Sequence, residues 1–183
     1  MNIKSKKESV RLIRELGING VPEEIIESYD DDKIRKFCSK YNAKTYILRD
    51  LYNPNGQYYL CHSVEECINN AKNYEKDFLL GVSVVSYDGK ILLGDIFVNK
   101  EKIVLTARTD KNSHHRNIYS EPEIMLDTNW LDKKLYRIPG VDMLLKYITD
   151  HSLYDTIIEF VVYDNKVGLK NENVLIVEFR NDY

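Results

Sequence analysis

Near the C-terminal end, two apolar runs each enclose one glutamate: Ile157-Ile158-Glu159-Phe160-Val161-Val162-Tyr163 and Val174-Leu175-Ile176-Val177-Glu178-Phe179. They are joined around Asp164-Asn165-Lys166-Val167-Gly168, a connection short enough to predict an antiparallel pair over Thr156 to Tyr163 and Asn173 to Arg180. Paired in that way, both carboxylates can project from one face. Two close carboxylates repel, so the arrangement calls for a divalent cation, a basic partner or a shared proton. Mg²⁺ is held by one or two carboxylates together with substrate phosphates. The plainer alternative is two strand glutamates facing water or paired with Lys and Arg.

Upstream, helices and strands alternate. Val10, Ile13 and Leu16 recur three apart, so a helix is predicted from Lys6 to Leu16, with Ser5 and Glu8 as a capping box and Gly17 as its stop. An irregular link, Ile18-Asn19-Gly20-Val21-Pro22, leads to a second helix over Asp31 to Tyr41. Thr45-Tyr46-Ile47-Leu48 reads as a strand, Asn53-Pro54-Asn55-Gly56 as a turn, and Gln57 to Cys61 as the returning strand. Ser63 and Glu66 open a third helix to about Tyr74. Phe78 to Ser86 is a long apolar run that meets the hairpin signal Asp88-Gly89. With Lys90 to Val98 and Lys102 to Thr109 it predicts a three-stranded meander. Residues 110–129 read as a long polar loop, and Val141 to His151 as a fourth helix.

Composition narrows the function classes. A chain of 183 residues can bury a real core in one compact domain or two small lobes. With 26 Lys and Arg against 29 Asp and Glu the net charge is −3, which argues against a general nucleic-acid binder. No stretch reaches the roughly 20 apolar residues that span a bilayer, and the charged N-terminus lacks a signal-peptide run. The three cysteines, Cys38, Cys61 and Cys67, form no CxxC pair, so a disulfide scaffold or thiolate zinc site is not expected and a reduced, cytoplasmic protein is.

Several residues carry charge suited to chemistry. Arg49 ends an apolar strand before a turn, where a guanidinium can meet phosphate oxygens, and Lys6 can act as a point charge; a solvated surface site is the plain alternative for each. The Asn53-to-Gln57 turn can present backbone N–H groups to phosphates or be an ordinary hairpin. His114-His115-Arg116 suits an anion or a metal, though adjacent histidines diverge and a solvated loop is the simpler reading. Cys61 and His62 face opposite ways on a strand, which argues against a nucleophile–base pair.

In order and spacing these features resemble the ATP-grasp superfamily. Ser5-Lys6 through Gly17-Ile18 and Val21-Pro22 resembles its opening, where a nucleotide-binding lysine begins a helix. Ala43 to Arg49 resembles the strand whose final cation reaches the phosphates, and Asn53 to Gln57 stands where the phosphate-covering loop belongs. Ser63-Val64-Glu65-Glu66 resembles the start of the following helix, and Phe78 to Val82 the adenine-contacting hinge. The sequence departs from the family in having Gly81 at a usually acidic hinge position, a glycine-poor phosphate loop, and Glu178-Phe179-Arg180-Asn181 in place of Glu-x-Asn.

The resemblance implies an α+β fold of two lobes, residues 1–78 and 79–183, with a nucleotide cleft between them. It implies ATP and Mg²⁺ as cofactors and an ATP-dependent ligase that activates a carboxylate as an acyl phosphate. A catalytically inactive nucleotide-sensing or interaction module is the alternative. Lys6 and Arg49 would hold the phosphates, and the backbones of Leu80 and Val82 the adenine. Glu159, Glu178 and Asn181 would hold the metal. Arg116 and Arg180 would take catalytic positions. The partner is a small acid, with a partner protein or a second copy as a further expectation.

Overall fold

The computed structural model describes residue 3 and residues 5–52, 56–109 and 122–181. Its first three helices begin where side chains satisfy the free N–H groups of the first turn. α1 (Lys6–Glu15) is capped by Ser5, which accepts from the Glu8 N–H at 3.3 Å. After β1 (Glu23–Ile26), α2 (Asp31–Tyr41) starts at Asp30, whose carboxylate accepts from the N–H groups of Asp32 and Lys33. β2 (Tyr46–Asp50) and β3 (Tyr58–Cys61) follow, then α3 (Val64–Ala71), capped by Ser63. β4 (Phe78–Val82) completes a four-stranded antiparallel sheet in the order β1-β4-β2-β3.

The chain then crosses to a second sheet. β5 (Lys90–Val98), β6 (Ile103–Arg108) and β7 (Ile124–Thr128) form a meander. After α4 (Val141–His151), the long hairpin of β8 (Thr156–Val167) and β9 (Glu172–Arg180) completes a five-stranded antiparallel sheet, β7-β6-β5-β8-β9. The architecture is α+β with two antiparallel sheets, as the sequence predicts.

Three details differ from the sequence reading. The apolar run expected to extend to Ser86 stops as a strand at Val82 and turns through a short 3₁₀ segment, Val84–Ser86. β4 is hydrogen-bonded on both sides, to β1 and β2, so it belongs to the first sheet and not to the meander. Within the stretch read as a polar loop, Ile124–Thr128 is a strand paired with β6.

Each sheet has one face closed by helices. Ile34, Phe37, Cys38, Cys67 and Ile68 from α2 and α3 bury the outer face of the first sheet against Tyr46, Leu48, Phe78, Leu80 and Val82. α4 contributes Val141, Leu144, Leu145 and Ile148 to the core on one face of the second sheet, with Ile96, Leu105, Ile158 and Phe160. α1 joins the two halves: Val10 packs with Leu51 and Leu79 of the first, while Ile13 enters the core of the second. Asn19, fully buried, fastens the following link. Its amide donates to the carbonyls of Val167 and Val174 at 3.0 and 2.8 Å and its oxygen accepts from the Lys170 N–H at 2.8 Å. Among the described residues, no helix is long and apolar enough to cross a membrane.

Candidate functional site

The second sheet carries a row of carboxylates across three neighbouring strands. Asp95 of β5 stands opposite Glu159 of β8, and Glu159 opposite Glu178 of β9. Directly opposed residues share a face, with Cβ atoms about 5 Å apart. That face also carries Leu93, Val161, Tyr163 and Leu175, turned away from α4. Simple alternation would have turned Glu178 toward the core, because Leu175 pairs with Val161 on the open face. The register shifts after Glu159, so that Phe160 opposes Ile176 and Val177 is left as an extra residue. This bulge brings Glu178 round to face Glu159.

Lys6 reaches the bulge from the first residue of α1. Its side chain is 7% exposed, and its ammonium donates to the Val177 carbonyl at 2.8 Å and to Glu178 Oε2 at 3.4 Å. Nearby, Ser9 accepts from the Phe179 N–H at 2.8 Å, which fixes α1 against β9.

The first sheet answers with charges of its own. Glu23, Gly81 and Ile47 stand side by side in one row, and Ile25, Leu79 and Arg49 in another. Glu23 is 8% exposed. A Cβ on Gly81 would come within 2.9 Å of Glu23 Cγ, so the glycine makes room for that side chain. Burial raises the Glu23 carboxyl above its ordinary range, with Lys6 and Arg49 opposing and Glu178 adding to the rise. Glu159 is pushed up to about 7, first by burial, then by Asp95 and Glu178, against the pull of Arg49 and Lys6. Lys6, Arg49 and Glu178 act on both Glu23 and Glu159, so charges from α1 and from both sheets lie within electrostatic reach of one another.

Arg180 shares the face of Glu178. Its guanidinium crosses β8 and donates to Asp95 Oδ1 at 3.0 Å, while its buried Nε has no hydrogen-bond acceptor among the described residues. It therefore neither bridges the two glutamates nor points away from the row.

The remaining expected residues lie elsewhere. Asn181 accepts from the Ile3 N–H at 2.6 Å and donates to the Asp155 carbonyl at 2.9 Å, so both ends of its amide serve the backbone and not the carboxylates. The side chains of Leu80 and Val82 are buried in the core beneath α2 and α3. The Val82 N–H donates to the Pro22 carbonyl at 2.8 Å. Arg116, with His114 and His115, lies outside the described residues, as do Asn53, Pro54 and Asn55.

Two site residues escaped the sequence reading. Asp95 is one polar residue in an alternating strand, and Glu23 sits in a four-residue acidic and apolar segment with no strand signal of its own. No group of three His, Cys, Asp or Glu among the described residues is placed to hold a metal ion. Glu159 and Glu178 fit the smaller donor set of a Mg²⁺ ion held jointly with phosphates.

No protein-family model matches the chain, and no curated protein does. Solved structures do. D-alanyl-alanine synthetase A from Vibrio cholerae O1 biovar eltor is similar over 97% of this chain and 55% of its own, with a TM-score of 0.60 at 10% identity. Carboxyaminoimidazole ribonucleotide synthase from Aspergillus clavatus, complexed with ATP, is similar over 98% of this chain and 45% of its own, with a TM-score of 0.58 at 8% identity. The macrocyclase MdnC from Microcystis aeruginosa, bound with its precursor peptide MdnA, is similar over 96% and 53%, with a TM-score of 0.53 at 14% identity. The chain spans about half the length of these neighbours. They are ATP-grasp enzymes, and the likeness is one of fold.

Proposed function

We propose, from the ATP-grasp fold that this chain shares with those ligases, that the space between its two sheets binds ATP. We read it as the site of an ATP-dependent ligase that activates a carboxylate as an acyl phosphate for attack by an amine or thiol. The observation that carries this reading is the placement of Glu159 and Glu178 side by side, within electrostatic reach of Lys6 and Arg49. Carboxylates and cations from separate elements around one space are what a metal-bound polyphosphate requires.

In this reading Arg49, whose guanidinium makes no hydrogen bond or ion pair among the described residues, takes the phosphates, and Lys6 contributes its charge from the bulge. Glu159 and Glu178 hold Mg²⁺, which when bound neutralises charge on the triphosphate. Arg116 is assigned to the γ-phosphate or to the acid substrate. The front lobe is residues 1–78 and the rear lobe 79–183, with β4 lending its hydrogen bonds to the front sheet.

A second reading has one observation in its favour. Arg180 stands two residues beyond Glu178 and is tied to Asp95, and Lys6 is tied to Glu178, so built-in cations already answer part of the carboxylate row. That arrangement suits a catalytically inactive module that senses a nucleotide.

Calorimetric titration with Mg-ATP tests the shared premise. Heat of binding that is lost in Arg49→Ala supports the site, and no binding by the wild type overturns it. ADP formation that rises with a panel of acids and amines then selects the ligase. Binding without turnover selects the sensing module.

A further inference from the structure

Glu23 opens β1 with a carboxylate that is nearly enclosed yet has no partner. The residue is 8% exposed, and its side chain makes no hydrogen bond or ion pair among the described residues. Pairing fixes the face it stands on. In the first sheet Glu23 lies beside Gly81 and Ile47, on the side opposite Ile26, Leu48 and Leu80, which meet α2 and α3. The chain that leads into it runs along the second sheet. Gly20 bridges Ile176 in parallel, and Val21 packs with Val161, Leu175 and Val177 on the open face that carries Glu159. Pro22 extends the β1–β4 ladder, its carbonyl accepting from the Val82 N–H at 2.8 Å. Glu23, two residues past Val21 on this extended chain, therefore turns the same way as Val21.

Gly81 makes room for the carboxylate. A Cβ there would lie 2.9 Å from Glu23 Cγ and 3.5 Å from its Oε1, so the side chain folds across bare backbone. Among the described residues, Arg180 Nε is the one fully enclosed side-chain nitrogen or oxygen without a partner. The Glu23 oxygens, also unpartnered, are therefore not sealed off. Arg49 stands on the same face, two residues along β2 from Ile47.

An ionised carboxylate only accepts hydrogen bonds, and it repels phosphate. The phosphates therefore belong with Lys6 and Arg49. The Glu23 end, bordered by Val21, Ile47 and Gly81, suits a flat apolar ring that brings a donor. We propose that Glu23 is a specificity-determining residue of the nucleotide site, its carboxylate accepting from the exocyclic amine of adenine. This rests on the reading of the space between the sheets as an ATP site. Adenine joined to its sugar has no other N–H, so a purine without the amine leaves the carboxylate buried and unpaired, which costs affinity.

The test compares Mg-ATP with the magnesium complex of purine riboside triphosphate, in which a hydrogen replaces the amine. Calorimetric titrations at pH 8 favour the ionised carboxylate. The wild type should bind ATP about ten- to a hundredfold more tightly, and Glu23→Ala should bring the two affinities to within about threefold of each other. A residue that only supports the fold would change both affinities alike, so the ratio is the readout. Equal affinities in the wild type overturn the proposal and leave ATP binding in place, as does an undiminished ratio in Glu23→Ala. Binding of neither triphosphate by the wild type removes the ATP site, and the proposal with it. Glu23→Met fills the same space without an acceptor and replaces the alanine variant if that does not fold.

Discussion

Lys6 and Arg49 were expected to act alike, and the structure gives them different work. Lys6 is buried and holds β9 through the Val177 carbonyl and Glu178. Arg49 is half-buried and makes no such bond among the described residues. Lys6→Met should therefore lower stability by about 2 kcal/mol, because it leaves a carbonyl and a carboxylate without their donor. Arg49→Ala should leave stability within about 0.5 kcal/mol and weaken Mg-ATP binding about ten- to a hundredfold. Urea unfolding and calorimetric titration of both variants separate the two roles, and equal stability losses would refute the division. Glu159 allows a second prediction at this scale. Its carboxyl is raised from 4.5 to about 7 on folding, so between those values the folded state binds more protons than the unfolded state. Stability from this group is present at low pH and is lost as pH rises through that window, by at most about 3 kcal/mol before solvent screening reduces it. Glu159→Gln should match the wild type near the low end and exceed it in melting temperature at pH 8. A wild-type advantage at pH 8 would show that a cation already compensates the charge.

At the scale of elements, legibility depended on how local the cause was. The helices were readable because Ser5 and Ser63 cap two of them within three residues and apolar positions recur at helical spacing. Strand partners were not, since nothing local tells Phe78–Val82 that it pairs with β1 and β2 and not with the strand after Asp88-Gly89. The site divides in the same way. Glu159 and Glu178 stood out as lone charges in apolar runs. Yet their shared face depends on the extra residue Val177, which alternation cannot reveal. Asp95 and Glu23 became visible only through the strands opposite them. Asn19 is a structural counterpart: an unremarkable link residue in the sequence, it holds the β8–β9 hairpin to the end of α1. Asn19→Ala should cost about 3 kcal/mol, because two buried carbonyls and one N–H lose a partner together. A urea midpoint that falls with an unchanged slope is the expected result, and a fall below 1 kcal/mol would mean that water replaces the amide.

At the scale of the whole molecule, the charged site draws on both sheets while the apolar cores remain separate. Glu23 and Arg49 come from the first sheet, Asp95, Glu159, Glu178 and Arg180 from the second, and Lys6 from the helix that packs against both. The like charges within the row push the Glu159 carboxyl up, and a ligand that brings a cation to the row relieves that repulsion. Mg-ATP should therefore stabilise the entire fold and not only the residues it touches. At a hundredfold excess over its dissociation constant, a single ligand adds about 2.7 kcal/mol. For a chain of this size that corresponds to a rise of about 5–10 °C in melting temperature. The rise should vanish when a chelator removes Mg²⁺, because free ATP then brings its full negative charge to a row that already holds three carboxylates. Differential scanning calorimetry with Mg-ATP, Mg²⁺ alone and ATP with chelator gives the three readings. A rise with Mg²⁺ alone that ATP does not extend would make the row a cation site without a nucleotide. No rise in any condition would leave the ATP-grasp fold standing and remove ATP from its function.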